Sequence, residues 1–276
     1  MYKTILISLN NFKSMDDVFR LTGSLAKKYD SHIVGLYVIP PVFFVSGPYG
    51  IGGGAQYADL HDYYLSKASK VEAQFEAFLR TRKLKGEWRQ EPASGGTVAD
   101  TIIKHGQQSD LIILGHKPPS KNTTGVDVEL TARVIIESGR PVFITPDLGD
   151  DFNLSTALIG WDTSKESTRA VFDALPLLQK CKDVSLLRVN PEKNKSTAGD
   201  LPGAELATVL ARHGIKVTTH TKKTKSSVGK ALLSASKDCD FLVMGGYGHS
   251  RFMERLLGGA TQHVLEHMTK PVLMAN

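Results

Sequence analysis

Apolar residues along the chain fall into short unbroken runs separated by longer stretches with a helical period. Thr4 to Leu9 (TILISL) is one such run, and SHIVGLYVIPP is a second, closed by Pro40 and Pro41. Between them Val18, Leu21, Leu25 and Ala26 share one helical face behind Ser14, a residue suited to cap a helix. Strand, helix and strand in that order make a βαβ unit, from which parallel sheets are built. Val42 to Asp59 follows, with Gly50, Gly52, Gly53 and Gly54 close together. It reads as a long surface loop, or as a lid whose apolar contacts are Phe43, Phe44, Tyr49 and Tyr57. Leu60, Tyr64, Ala68, Val71, Phe75, Phe78 and Leu79 then predict a long amphipathic helix. The segment EWRQEP, a helix from about Thr97 to Gln107, the strand DLIILG, a helix from about Val128 to Ser138 and the strand RPVFIT complete five strands and four helices.

The polar, turn-forming segment Pro146 to Asn153 marks a linker, after which the pattern begins again. The second pass reads STALIGWD, a helix over Glu166 to Lys180, VSLLRV, a helix from about Pro202 to His213, KVTTH, a helix from about Ser226 to Lys237, FLVMGG, a loop, a helix and KPVLMAN. From about Gly214 onward the halves align without a gap at an offset of 130 residues, DLIILG lying over DFLVMG and RPVFI over KPVLM. A repeat this long means two copies of one domain, 1–146 and 154–276, with a glycine-rich insertion at 42–59 in the first.

The stretch from Phe241 to Thr261, FLVMGGYGHSRFMERLLGGAT, carries residue types suited to specific chemistry. A buried strand ends at Gly245 and Gly246; Gly248, Gly258 and Gly259 follow, and a helix begins near Ala260 and Thr261. The first N–H groups of a helix lack intrahelical partners and carry the positive end of its dipole, and glycines let an anion approach them. The expectation is a phosphate cradle. No Lys-Ser/Thr follows the glycines, so it is not a Walker loop, and its place after the fourth strand is not that of a dinucleotide fingerprint.

Composition narrows the partners. Hydrophobic content of 41% and charged content of 22% are those of an ordinary globular protein. A net charge of +6 is spread along the chain, and its densest cluster (Lys222, Lys223, Lys225) has no interleaved aromatics, so a nucleic-acid surface is not expected. No apolar run approaches membrane-spanning length, and MYKTILISLNNFKS lacks the order of a signal peptide, so a soluble cytoplasmic protein without membrane contact is expected. Two cysteines, Cys181 and Cys239, are too few for a disulfide framework. His263 and His267 have a chelating spacing but no third ligand, so no metal site is expected, and no nucleophile elbow or carboxylate pair requires catalysis.

The Gly-x2-Gly-x9-Gly spacing, after an apolar strand and before a helix and a Pro-led strand, resembles the universal stress protein family, and the duplication resembles its tandem form. The resemblance implies two flavodoxin-like α/β domains, each a five-stranded parallel sheet of order 3-2-1-4-5 with helices on both faces. It implies ATP or AMP at the carboxyl ends of strands 1 and 4, which is also where open α/β sheets place ligands. Magnesium could accompany ATP. By the resemblance Asp162 accepts hydrogen bonds from the nucleoside, although next to Thr163 and Ser164 it is equally placed to cap a helix. Val189 matches the position whose backbone meets the adenine, and Gly245, Gly248, Gly258, Gly259 and Ala260 surround the phosphates. His249 and Thr261 complete the set, and Gly259 stands where nucleotide-binding relatives carry a hydroxyl residue.

In the first copy Asn10 replaces the acid, Gly115 remains, Pro118 stands for Gly248, and Val128 and Glu129 stand for Gly258 and Gly259. Pro118 has no N–H, and Glu129 brings a negative charge, so no nucleotide is expected there. The family's habit of pairing through last strands implies an internal pseudo-dimer through RPVFIT and KPVLMAN, and a homodimer could form alike. The sequence leaves three functions open: a regulatory adenine-nucleotide binder in the stress response, a nucleotide-independent interaction protein and a slow ATP hydrolase.

Overall fold

A computed structural model describes residues 1–41, 54–93, 96–116, 126–148, 152–191, 203–248 and 259–276. The chain forms two compact units, Met1–Gly115 and His116–Asn276.

In the first unit β1 (Thr4–Ser8), α1 (Met15–Tyr29), β2 (His32–Ile39), α2 (Gly54–Arg82), β3 (Lys85–Pro92), α3 (Val98–Gly106) and β4 (Leu111–Gly115) alternate. The strands are parallel and lie in the order β3-β2-β1-β4. β1 is central, and Ile5, Leu6 and Ile7 are at most 1% exposed, which is why it reads as a continuous apolar run. β3 lies at an edge and carries Pro92 at its end, where a missing N–H breaks no ladder bond. The long helix begins at Gly54, so Gly54–Asp59 are helical rather than part of the expected loop; residues 42–53 of the insertion lie outside the described residues.

The second unit contains α4 (Val126–Glu137), β5 (Val142–Thr145), β6 (Thr156–Gly160), α5 (Lys165–Asp173), α6 (Leu175–Leu178), β7 (Asp183–Val189), α7 (Ala204–Arg212), β8 (Val217–Lys222), α8 (Val228–Ala235), β9 (Phe241–Gly245), α9 (Ala260–His267) and β10 (Val272–Ala275). Its order is β8-β7-β6-β9-β10-β5, so β6 to β10 have the expected 3-2-1-4-5 arrangement. Helices cover both faces: a Cβ on Gly160 would meet Leu232 of α8, whereas one on Gly245, on the other face, would meet the backbone of α5. The expected single helix over Glu166–Lys180 is two, because Pro176 cannot donate the bond that would carry α5 past Ala174.

The repeat and the compact units divide at different places. β5, the last strand of the first sequence copy, pairs antiparallel with β10, Phe143 lying opposite Leu273, and the Phe143 and Phe241 rings meet edge to face at 5.8 Å. The two RP/KP-led strands thus close each other's edges. A further mark of duplication is a carboxylate at equivalent places. Asp110 Oδ2 accepts from the N–H groups of Lys3 and Thr4 at 2.7 and 2.9 Å, and Asp240 Oδ2 accepts from those of Ser155 and Thr156 at 2.7 and 2.8 Å.

Candidate functional site

In the second unit the strand order reverses between β6 and β9, and the expected residues gather near the carboxyl ends of those strands. β6 ends beside β7, with Gly160 paired to Leu187 and the Trp161 N–H donating to the Leu187 carbonyl at 3.0 Å. Asp162 and Val189 each lie two residues beyond this pair. Asp162 is exposed, and its Oδ1 accepts from the Ser164 N–H at 3.0 Å and the Ser164 hydroxyl at 2.6 Å. Ser164 is the N-cap of α5, its hydroxyl accepting from the Ser167 N–H. The structure thus bears on the capping reading of Asp162: Ser164 is the cap, and the Asp162 carboxylate braces it. Asn190 turns the chain after Val189 with a φ of 50°, holding Thr224 by two hydrogen bonds.

The glycine loop leaves β9 over the first turn of α5. A Cβ on Gly245 would lie 2.6 Å from the Ser167 nitrogen, and one on Gly248 would lie 2.8 Å from Oε2 of Glu166, so only glycine lets α5 come this close. Glu166 is 3% exposed, and its Oε1 is 3.3 Å from Nζ of Lys165. A buried carboxylate thus borders the loop expected to hold phosphate. Tyr247 takes a left-handed φ of 56° and donates its N–H to the Thr261 hydroxyl at 3.1 Å. Burial, and after it the Glu266 carboxylate, push the Tyr247 phenol up to about 12. The Asn276 side chain donates to the Gly246 carbonyl at 2.8 Å.

The amino end of α9 is the expected source of donors. Gly259 is its N-cap with extended backbone and no side-chain cap, and a Cβ there would meet none of the described residues within 4 Å. Ala260 and Thr261 open the helix, so their N–H groups are among those without an intrahelical acceptor. The Thr261 hydroxyl, a candidate substitute for the missing one at Gly259, is the acceptor for Tyr247. His249 and Gly258 lie outside the described residues.

The corresponding end of the first unit is differently built. Asn10 and Val38 occupy the positions matching Asp162 and Val189, two residues beyond the register pair Ser8 and Leu36. The Asn10 amide donates to the Val38 carbonyl at 2.6 Å and accepts from the Val38 N–H at 3.1 Å, so these backbone groups face a side chain of their own chain. Aromatic rings fill the space beyond: Tyr64 lies 5.3 Å from Phe12 and 6.0 Å from Tyr37, and its hydroxyl donates to the Asn10 carbonyl. Where Glu166 approaches Gly245, Ser14 approaches Gly115. Val128 and Glu129 fall in the first turn of α4 rather than ahead of it, and Pro118 lies outside the described residues.

Sequence reasoning missed Glu166 and Arg188. Glu166 looked like an ordinary acid in a first helical turn, and only the third dimension brings it to Gly248. Arg188 had a signal, a charge inside the apolar strand VSLLRV. The rings of His263 and His267 stack at 4.4 Å, with Nδ1 of His267 at 3.0 Å from the His263 carbonyl. Among the described residues no cluster of His, Cys, Asp and Glu is placed to hold a metal, and no helix is long and apolar enough to cross a membrane.

Parallel strands in the order 3-2-1-4-5, flanked by helices and opening at a glycine loop, define a flavodoxin-like α/β domain. Residues 154–276 match the model of the universal stress protein family. A universal stress protein from Archaeoglobus fulgidus DSM 4304 shares the fold over 99% of this chain and 96% of its own, with a TM-score of 0.75 and 20% identity. A candidate universal stress protein from Pseudomonas aeruginosa UCBPP-PA14 covers 99% of this chain and 92% of its own, with a TM-score of 0.60 and 16% identity. A protein of unknown function from Pseudomonas aeruginosa PAO1 covers the same shares, with a TM-score of 0.59 and 17% identity. No curated protein matches the sequence.

Proposed function

We propose that the protein is a stress-response protein whose second unit binds an adenine nucleotide, ATP or AMP, with a regulatory outcome. The observation that carries this reading is the amino end of α9, where the N–H groups of Ala260 and Thr261 open the helix beside the loop from β9 and a Cβ on Gly259 would meet no described residue within 4 Å. Gly259, Ala260 and Thr261 would hold the phosphates, and the Val189 backbone and Asp162 would meet the nucleoside. Glu166 decides the form of the nucleotide. A buried carboxylate repels bare phosphate, so the site favours a nucleotide whose charge is offset by Lys165 or by accompanying magnesium. The first unit, with Asn10 turned onto Val38 and aromatic rings beyond it, would not bind in this manner.

The test is to denature the purified protein, identify any nucleotide released, and titrate ATP and AMP, with and without magnesium, against wild type and Asp162→Ala. Tight binding by wild type that weakens about tenfold in the variant, the loss of one or two polar contacts, supports the reading. Absence of nucleotide on release together with absence of binding in titration contradicts it. A nucleotide-independent interaction protein is favoured by one observation: the Thr261 hydroxyl and the Asp162 carboxylate already serve the protein's own backbone. Association of two chains belongs to the main reading, and sedimentation with and without ATP checks it.

A further inference from the structure

Arg188 is a buried cation in β7 that the nucleotide reading does not use. It is 3% exposed, and among the described residues its Nη2 has no hydrogen-bond partner. No described carboxylate forms an ion pair with it either. A guanidinium stays protonated throughout the range in which proteins fold, and a buried charge without a counter-charge is strongly disfavoured.

The stem of the side chain reaches the amino end of α7. Its Cδ lies 3.9 Å from where a Cβ on Gly203 would stand, and Gly203 is the N-cap of this nine-residue helix. Gly203 holds a left-handed φ of 92°, has no side chain to cap the first turn, and faces Leu186 so closely that a Cβ would lie 2.7 Å from Leu186 Cδ2. The acid of that first turn, Glu205, is exposed. Two independent sources of positive potential, a guanidinium and uncapped helix N–H groups, thus meet on the β7 side of the second unit.

We propose that Arg188 and the amino end of α7, at Gly203 and Ala204, form a binding site for a tetrahedral oxyanion of the phosphate class. The site shares no residue with the glycine loop. A planar fork of donors and a set of helix N–H groups suit phosphate, whose several oxygens can each take a donor, better than a halide, which offers one acceptor atom.

Inorganic phosphate titrated into the full-length protein in phosphate-free buffer, followed by calorimetry and by thermal unfolding, tests this. Wild type is expected to bind phosphate and to unfold at a higher temperature in its presence. Arg188→Met should lose at least about tenfold in phosphate affinity, the cost of one charge-assisted contact, and lose the phosphate-dependent rise in unfolding temperature. In phosphate-free buffer the same variant should be as stable as wild type or more so, because an uncompensated buried charge has been replaced by an unbranched apolar chain. Arg188→Lys should retain weaker binding. Gly259→Asp separates this site from the glycine loop: it should bind phosphate as wild type does. Displacement of phosphate by ATP in Gly259→Asp assigns the oxyanion to a nucleotide, and persistence assigns it to free phosphate. Failure of the wild type to bind ATP while it binds phosphate would sink the nucleotide reading alone. Failure of wild type to bind phosphate, or equal binding by wild type and Arg188→Met, overturns the proposal.

Discussion

On the proposed function, Glu166 and Gly259 would exert opposite effects on an anion near the glycine loop. The Glu166 carboxylate is buried against Gly248, while Gly259 caps the positive end of a helix dipole, where a Cβ would meet no described residue. Removing the charge while keeping the shape should therefore strengthen nucleotide binding: Glu166→Gln is expected to raise ATP affinity several-fold without magnesium and less with it. Calorimetric titration checks this, and unchanged affinity would place the phosphates away from Gly248. Replacing Gly259 by Ser supplies the missing cap, and because its backbone is already extended no strain follows. The variant should gain ~0.3 kcal/mol of stability in urea unfolding, a few tenths being typical of Gly against Ser at an N-cap. Tyr247 gives a pH signature. Its phenol is pushed up to about 12 in the folded protein, so the proton is held more tightly there than in the unfolded chain. The associated stability is complete below the ordinary tyrosine value of about 10 and is lost as pH rises from there through about 12. An ultraviolet titration of wild type against Tyr247→Phe should show one late-ionising tyrosine missing in the variant.

Among the elements, β5 departs furthest from what the repeat suggests. It belongs by sequence to the first copy, yet it pairs with β10 in the second compact unit, and Phe143 at its centre is fully buried against Phe241. Phe143→Ala should cost about 3–5 kcal/mol, as expected for a truncated core aromatic. Amide exchange checks its location: the variant should lose protection at Val142–Thr145 and at Val272–Ala275 together, and loss confined to β5 would contradict the pairing. The strands were legible because the buried parallel ones are unbroken apolar runs, and α3 was legible because Thr97 and Asp100 form a capping box. The break between α5 and α6 was visible in Pro176 but hidden by apolar residues on both sides. The early start of α2 was hidden by the glycines preceding it, since glycine is a poor helix former.

For the chain as a whole, duplication is legible at both levels, in the gapless alignment of the strands and in the matching carboxylates of Asp110 and Asp240. What separates the copies is chemistry at equivalent positions. Asn10 closes onto Val38 in one, while Asp162 braces a helix cap in the other. The glycine spacing marked the candidate loop, but residues remote in sequence decide its charge, and neither Glu166 nor Arg188 could be placed from spacing. The claim that one copy holds a nucleotide on the amino end of α9 is tested most directly by Gly259→Asp. Aspartate is a good N-cap, so the variant should fold at least as stably as wild type while setting a negative charge where phosphate is expected. Titration of ATP should then show wild-type binding weakened at least about tenfold in a fully folded variant, a change of about 1.4 kcal/mol. Equal ATP affinity in the two proteins would contradict the account.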